Sequence, residues 1–154
     1  MKKQETIFHK IVKKEAPCHK IWEDKKHLAF LSIFPNTPGF TVVIPKKYSP
    51  SYFAKCPNKV LQDLIVAVKK VAKLLDSKLE NVGRTGVIFE GFGVDYLHAK
   101  LFPMHGTKDM SKWKPIHSKV KKFFTQYPGY ISSHDSERAN DQELANLAKK
   151  IKSC

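Results

Sequence analysis

Hydrophobic residues recur at steps of three and four positions in three parts of the chain, the spacing typical of amphipathic helices. The clearest example is KVLQDLIVAVKKVAKLL, residues 59–75, where the apolar side chains share one face and the lysines fall elsewhere. This pattern predicts one long helix that packs one face on a core and leaves a basic face in solvent. Two further helices are predicted, a short one near the N-terminus that ends by Pro17 and a last one over about 141–152, each on its own set of apolar positions: Ile7, Phe8, Ile11 and Val12 for the first, and Leu144, Leu147, Ala148 and Ile151 for the second.

Strands are predicted where β-branched and aromatic residues alternate or cluster between turn residues. The segment from Asp95 to Phe102 alternates most clearly, and Pro103 is expected to end it. One side of this segment carries apolar residues and the other carries Tyr96, His98, Lys100 and Phe102. The other expected strands are 19–22, 27–33, 40–44 and 85–89.

The order of these elements predicts the class of fold. Strands follow one another with helices at intervals, and there is no strict strand–helix–strand repeat, so we expect an α+β domain with a mostly antiparallel sheet of about five strands. After His105 the chain becomes polar and basic, with aromatic anchors at Trp113, Phe123, Phe124, Tyr127 and Tyr130. We therefore predict a first domain over 1–105 and a helical C-terminal extension over 106–154 that packs on the same domain.

Composition narrows the class of protein. No apolar stretch approaches the roughly 20 residues of a membrane span, and the N-terminus lacks the features of a secretory signal, so a cytoplasmic protein without a membrane partner is expected. Cys18, Cys56 and Cys154 form no Cys-x-x-Cys pair, which predicts reduced thiols and no disulfide framework.

The charge is the unusual feature of the composition. Lys and Arg total 28 against 14 Asp and Glu, a formal net charge of +14 that attracts polyanions. The basic residues are spread along the whole chain, which disfavours a dedicated nucleic-acid stripe without removing nucleic acid as a partner. Charge alone does not choose between solubility and binding.

The strand around His98 carries the candidate chemistry. His98 follows a turn with Gly91 and Gly93, and glycines let backbone N–H groups approach an anion closely. A neutral imidazole is a competent nucleophile toward phosphorus, and Lys100 on the same face would place a positive charge beside the phosphate. Taken alone, a histidine at a strand end is more often structural, and a glycine turn is common in hairpins. The remaining histidines show no ligand-like spacing and are expected to be surface or core residues: His9, His19, His27, His117 and His134.

Two blocks of the sequence resemble the histidine-triad (HIT) family. The segment IFHKIV…HKIWEDKKHLAFLSIFPNTPGFTVVIPKKY is similar to the first half of its members, and EGFGVDYLHAKLFPMHG is similar to its His-x-His-x-His signature. The resemblance covers roughly residues 5–105. The tail KLFPMHG resembles the branch in which lysine replaces the third histidine, often described as dinucleoside-polyphosphate hydrolases.

The resemblance implies a two-step reaction on a nucleoside phosphate. His98 matches the middle histidine, which attacks the α-phosphate and forms a nucleotidyl-imidazole that water then cleaves. The carbonyl of Tyr96 would orient the ring of His98, and Lys100 and His105 would supply charge and a proton for the leaving group. The family also implies a homodimer with a sheet continued across the interface. Nucleotide-binding positions would be Ile7, Phe8, Ile11, Phe30, Ser32 and Ile33 for the base and ribose, and Glu90, Gly91, Phe92, Gly93 and Tyr96 around the phosphate.

Several positions depart from the family pattern. Tyr96 and Lys100 replace the first and third histidines, Phe92 stands where a glutamine is common, and Ser32 replaces the ribose-binding aspartate. The negative charge of Glu90 is unfavourable beside a phosphate unless its side chain points away. His9 takes a place sometimes held by a zinc-binding cysteine whose partner is missing here, so no metal and no cofactor are expected.

Three functions remain open at this level. The leading one is a hydrolase or transferase of nucleoside phosphates, of the dinucleoside-polyphosphate or phosphoramidate type, acting through a nucleotidyl-histidine. The second is a HIT-like module that has weakened turnover and binds a nucleotide or RNA end. The third is a nucleic-acid protein that uses the basic charge and the exposed aromatics, and its binding would fall steeply with salt whereas a one-nucleotide site would lose far less.

Overall fold

The computed structural model of the chain describes residues 5–112 and 115–152. The chain divides into two compact units, residues 1–113 and residues 114–154, rather than at the expected position 105. The first unit extends past His105 because Gly106 N donates to the Asn81 carbonyl at 2.7 Å and Gly83 N donates to Thr107 Oγ1 at 3.0 Å. The predicted packing of the extension on the first unit stays a prediction, and Trp113 and Cys154 lie outside the described residues.

The first unit contains a five-stranded antiparallel sheet in the order β1-β2-β3-β5-β4. This sheet confirms the predicted α+β class and the predicted number of strands. The strands are β1 His19–Glu23, β2 His27–Leu31, β3 Thr41–Pro45, β4 Val82–Ile88 and β5 Ala99–His105.

Helices cover both faces of the sheet. Helix α2, Asn58–Lys78, buries most of the predicted apolar stripe against one face, where it meets Leu97, Ala99 and Leu101. Ile65, expected on this stripe, is 51% exposed. Helix α1, Ile7–Val12, places two buried side chains on the opposite face, in a second cluster that includes Tyr96. The two-sided alternation predicted around His98 is therefore confirmed, and His98 lies on the face that α1 covers.

The strand that carries the candidate chemistry differs from its predicted bounds. β5 begins at Ala99 rather than at Asp95, because Leu97 N donates to the carbonyl of Ser49, outside the sheet, at 2.8 Å. It also continues through Pro103 to His105. Pairing with β3 ends at Leu101, so Pro103 has a strand neighbour on one side only, where a residue without an N–H is tolerated.

The second unit contains helix α3, Asp141–Lys152, at the predicted position. Between 115 and 140 the described residues form bends and irregular segments, with Phe124 against Tyr130 at 5.7 Å between ring centroids. His134 Nε2 lies 2.8 Å from the Lys122 carbonyl oxygen. Within the described part of the chain, no helix has both the length and the apolar composition that crossing a bilayer requires.

Gly83→Ala should destabilise the fold, because a Cβ at this position would lie 2.2 Å from the Thr107 carbonyl oxygen. Relieving that overlap requires the backbone after β5 to move, and overpacking of this kind costs about 1–3 kcal/mol of unfolding free energy. Gly86→Ala in the same strand is the matched control, since its nearest neighbour would be the Phe102 carbonyl oxygen at 3.9 Å. Urea unfolding measures both, and equal losses would contradict the steric explanation.

Candidate active site

His98 is held in one orientation by the backbone that precedes β5. Its side chain is buried, with 4% of the residue exposed, and the ring of Phe8 meets it edge-on at 5.4 Å between centroids. His98 Nδ1 lies 2.7 Å from the Tyr96 carbonyl oxygen. A carbonyl only accepts, so Nδ1 carries the proton and Nε2 carries the lone pair in the neutral ring. This is the contact that the family resemblance implied for Tyr96.

The Nε2 atom of His98 is open to a ligand. The described residues provide no hydrogen bond to Nε2. No fully buried side-chain nitrogen or oxygen among the described residues is left without a partner, so Nε2 keeps contact with solvent. The nitrogen with the lone pair is therefore the one that a substrate can reach.

The surroundings of His98 favour its neutral form. Burial lowers its pKa, and the charge of Lys100 lowers it further. The hydrogen bond to the Tyr96 carbonyl and the charge of Glu90 act in the opposite direction, and the net shift is downward. A lowered pKa keeps the ring unprotonated, and hence nucleophilic, at neutral pH.

The lowered pKa of His98 predicts how stability depends on pH. When the pH falls below about 6.5, the usual pKa of histidine, His98 becomes protonated in the unfolded chain but stays neutral in the folded chain, where its pKa is lower. The stability contributed by the neutral ring is thus complete above this value, and it falls as the pH drops toward the folded pKa. Urea unfolding across this window should show a steeper loss for the parent than for His98→Gln, and an NMR titration should place the pKa of His98 below about 6.5. A titration at or above that value would contradict the burial argument.

Tyr96 anchors the segment before His98 through its side chain. The residue is 1% exposed, and its hydroxyl donates to the carbonyls of Pro45 at 2.8 Å and Lys46 at 3.1 Å. Burial raises the pKa of Tyr96 to about 12, so the hydroxyl stays a donor. The sequence predicted a role for the backbone of Tyr96, and this tie to the end of β3 was missed.

Lys100 forms an ion pair with Glu90. The Glu90 side chain is only 7% exposed, and the Lys100 side chain is 26% exposed. Lys100 pairs with Ile88 in the sheet register, which brings the end of β4 and the following Glu90 beside it. The carboxylate of Glu90 therefore lies on Lys100 rather than pointing away, and the charge expected beside the phosphate is already compensated.

The glycine turn is held in place by an acidic residue that the sequence did not single out. Gly91 and Gly93 have φ of +72° and +85°, in the region that favours glycine. Asp95 accepts hydrogen bonds from Ser51 N and from the Tyr48 hydroxyl, each at 3.1 Å. The turn is thereby tied to the segment after β3, and Phe92 on the turn is 66% exposed. Its binding of an anion stays a prediction.

The residues expected to form a base slot are only partly brought together. Phe8, Ile11 and Phe30 are buried in one cluster on the α1 face, with Phe8 and Phe30 edge-on at 5.6 Å. Ile7 is about half exposed and Ile33 is 71% exposed, so these two lie outside the cluster. Ser32, expected at the ribose, accepts a hydrogen bond from Phe34 N at 3.2 Å, so its hydroxyl is engaged within its own turn.

His105 lies far from His98 in this chain. At about 3.3 Å per residue, seven residues along an extended chain separate the two by roughly 20 Å. His105 Nε2 is instead 2.9 Å from the Pro38 carbonyl oxygen. The structure thus does not bring the expected proton donor to the nucleophile within one chain, because β5 continues through Pro103 and keeps the backbone extended as far as His105.

Among the described residues no group of three or more His, Cys, Asp or Glu side chains is placed to hold a metal ion, and His9 contacts Thr6 Oγ1 at 2.8 Å. Two cavities are lined by residues other than His98. One of about 470 Å³ lies beside α1 and β1, and one of about 710 Å³ lies between the β1–β2 turn, the end of β3 and the start of α2.

Comparison with known proteins identifies similar chains. The model of the HIT domain family matches residues 13–106. The adenosine 5'-monophosphoramidase of Schizosaccharomyces pombe is 36% identical over 101 residues, 63% of this chain and 72% of that protein. The adenosine 5'-monophosphoramidase of Saccharomyces cerevisiae is 33% identical over 102 residues, 66% of this chain and 64% of that protein.

Solved structures are similar over different lengths of the chain. A HIT family protein from Bacillus anthracis is 25% identical with a TM-score of 0.63, over 95% of this chain and 94% of that one. A HIT-like protein from Bartonella henselae is 29% identical with a TM-score of 0.56, over 65% of this chain and 80% of that one.

Proposed function

The chain belongs to the HIT domain family, and on this premise we propose that it hydrolyses nucleoside phosphates with His98 Nε2 as the nucleophile. The observation that carries the proposal is the state of the His98 ring. Nδ1 is fixed by the Tyr96 carbonyl, Nε2 is open, and burial keeps the ring neutral. Attack on phosphorus requires each of these three properties.

The proposed reaction has two steps. The Nε2 lone pair forms a bond to the α-phosphorus, and the bond from phosphorus to the leaving group breaks with its electron pair going to that group, which takes a proton from solvent water. The ring then carries a positive charge, which the Tyr96 carbonyl at Nδ1 stabilises. Water attacks the same phosphorus, the phosphorus–Nε2 bond breaks, and the water proton is released. The products are the nucleotide and the neutral ring.

Within this class we propose a phosphoramidate as the preferred substrate and a dinucleoside polyphosphate as the second choice. Two relatives are named adenosine 5'-monophosphoramidases. Glu90 offsets the charge of Lys100, so the site is suited to one phosphate rather than to a long anionic chain.

Trapping the intermediate tests the proposal. The protein is incubated with adenosine phosphoramidate or a diadenosine polyphosphate, quenched at high pH, and analysed by intact mass and peptide mapping. We expect an adenylate adduct on the peptide that contains His98. His19→Ala is the matched control, because His19 is an exposed residue at the start of β1, and its adduct should equal that of the parent. Turnover without any adduct on His98 would refute the nucleophile.

A second function is favoured by one observation, the pairing of Lys100 with Glu90. A lysine held by a carboxylate does not stabilise charge on a leaving group, so the chain would bind a nucleotide or an RNA end with weakened turnover. In that case the trapping experiment gives no adduct, while the same ligands still raise the unfolding temperature.

Glu90→Gln should strengthen binding of anionic substrates. Removing this carboxylate leaves the Lys100 charge uncompensated, and we expect KM to fall roughly three- to tenfold. The pKa of His98 should fall further, since the charge of Glu90 raises it. Steady-state kinetics measures the first effect, or ligand titration if turnover is absent. Glu80→Gln changes the net charge equally at an exposed position and is the control. An unchanged KM in Glu90→Gln would show that the pair does not face the substrate.

The partners and compartment are proposed on simpler grounds. β1 and β4 are the outer strands of the sheet, and an edge strand offers backbone groups to a second copy, which supports the homodimer. Cys18 and Cys56 are free thiols, which supports a reducing, cytoplasmic compartment. Sedimentation of the purified chain tests the dimer.

A further inference from the structure

The cavity of about 710 Å³ beside the β1–β2 turn, called here the basic cavity, contains a second set of polar groups that the His98 site does not use. Three parts of the first unit form its walls: the turn that leads into β2, the segment that follows β3, and the first turns of α2. Cavities of this size hold small organic molecules. Its lining residues are Lys25, Lys26, His27, Pro45, Lys46, Lys47, Tyr48, Ser49, Pro50, Pro57, Val60 and Asp63.

His27 supplies one buried ring to the wall of the basic cavity. It is 4% exposed, and Nδ1 lies 3.2 Å from Asp24 Oδ1, which also accepts from His27 N at 2.6 Å. Burial raises the pKa of Asp24, but the hydrogen bonds from the backbone N–H groups of Lys26 and His27 lower it more, so the carboxylate stays ionised. Nδ1 therefore donates to Asp24. The described residues offer Nε2 no hydrogen bond, so this ring nitrogen is available to a ligand in the cavity.

Ser49 supplies a second buried polar group. The residue is 8% exposed and lines the same cavity. Its carbonyl accepts from Leu97 N, whereas its hydroxyl has no hydrogen bond among the described residues. No fully buried side-chain nitrogen or oxygen among the described residues lacks a partner, so His27 Nε2 and Ser49 Oγ keep contact with solvent. Two polar atoms with unused hydrogen-bonding capacity on one cavity wall are therefore accessible to a ligand in that cavity.

The charge around the basic cavity identifies the sign of that ligand. Four lysines line it, against the single carboxylate of Asp63, which Lys26 and Lys59 already neutralise at 2.9 Å each. Lys25 and Lys47 are exposed at its rim. Lys46 pairs with Glu23 behind the wall. The balance at the cavity is positive, so an anion is attracted.

We propose that the basic cavity binds a phosphorylated small molecule, with the phosphate on His27 Nε2 and Ser49 Oγ and the apolar remainder against Pro57 and Val60. A phosphate accepts several hydrogen bonds at once and carries up to two charges, which matches a hydroxyl, a ring nitrogen and two rim lysines better than a carboxylate does. The residues concerned are separate from those of the His98 site, so this proposal does not depend on the proposed hydrolysis.

NMR on the His98→Ala protein tests the basic cavity without interference from the first site. With ¹⁵N-labelled histidine, titration with phenyl phosphate should shift the ring signals of His27 in a saturable way and leave those of His19 unchanged. Inorganic phosphate should bind at the same place about tenfold more weakly, because it lacks the apolar part. Equal affinities would overturn the assignment of the apolar wall, and unmoved His27 signals would overturn the site.

Variants provide an independent readout. Ser49→Ala and His27→Gln should each weaken the binding of phenyl phosphate by about tenfold, the usual effect of losing a hydrogen bond to a charged group. Lys47→Ser should weaken it less, and Lys69→Ser, on the solvated side of α2, should leave it unchanged. Should His27→Gln fail to fold, Ser49→Ala and the titration of the parent ring decide the question. Parent-like affinity in Ser49→Ala would overturn the proposed phosphate contact.

Discussion

His98→Ala is expected to lower kcat for a nucleoside phosphoramidate by at least about a thousandfold, the scale seen when a covalent nucleophile is removed. The variant loses the Nε2 lone pair, so no nucleophile is present to accept the nucleotidyl group in the first step. The affinity for the nucleotide should change far less, because Phe8, Ile11 and Phe30 also pack in one apolar cluster, with Phe8 and Phe30 edge-on at 5.6 Å, besides the contact of Phe8 with the imidazole.

Single-turnover kinetics with His98→Ala and His19→Ala measures this difference. Circular dichroism and urea unfolding confirm that both variants fold, which matters because His98 is buried. A parent that turns over and a His98→Ala variant within about tenfold of it would remove His98 from the chemistry. A parent without turnover, but with ligand-dependent stabilisation, would favour the binding module.

Local patterns predicted the elements of this fold well. The apolar stripe of residues 59–75 became the buried face of α2, and the alternation from Tyr96 to Phe102 placed His98 on the opposite face. Both depend only on the geometry of a helix or a strand, which the order of residues determines.

The features that were missed depend on partners distant in the chain. Pro103 does not end β5, because pairing with β3 stops at Leu101 and Pro103 needs no N–H on that side. Where the pairing stops depends on the register of the two strands. Lys100 meets Glu90 because Ile88 lies opposite Lys100 in the sheet, which brings Glu90 beside it. The two residues are ten positions apart, so a local pattern does not reveal that they pair, and Lys100 was expected to have an uncompensated charge. A local pattern does not show which residues of two strands lie opposite each other. It also does not show whether the ammonium group of Lys100 pairs with a carboxylate or with a phosphate.

The same reasoning applies to the site as a whole. His98 and the Tyr96 carbonyl are two residues apart, so their 2.7 Å contact follows from local backbone geometry and could be expected from the motif. His105 was expected at the site on the strength of the same motif, yet an extended strand carries it to the far end of β5. The expected contact between neighbouring residues of the motif, His98 and Tyr96, is present in the structure. The expected approach of His105 to His98, seven positions apart, is absent within the described chain.

Tyr96→Ala should lower the free energy of unfolding by about 3–5 kcal/mol, the usual cost of deleting a buried aromatic side chain. The loss removes the edge-on contacts with Phe8, His9 and Tyr48 and leaves the carbonyls of Pro45 and Lys46 without their donor. Urea unfolding at neutral pH measures it.

Tyr96→Phe separates the hydroxyl from the ring. It keeps the packing and the backbone carbonyl that orients His98, so we expect a loss of about 1–3 kcal/mol, because two buried acceptors lose their shared donor. The kcat of Tyr96→Phe should stay within a few-fold of the parent, whereas that of Tyr96→Ala should fall further as the segment before His98 loosens. Equal stability losses in the two variants would show that the hydroxyl, not the ring, holds this segment. A kcat in Tyr96→Phe as low as in His98→Ala would instead give the phenol a direct part in the chemistry, which its hydrogen bonds to the end of β3 argue against.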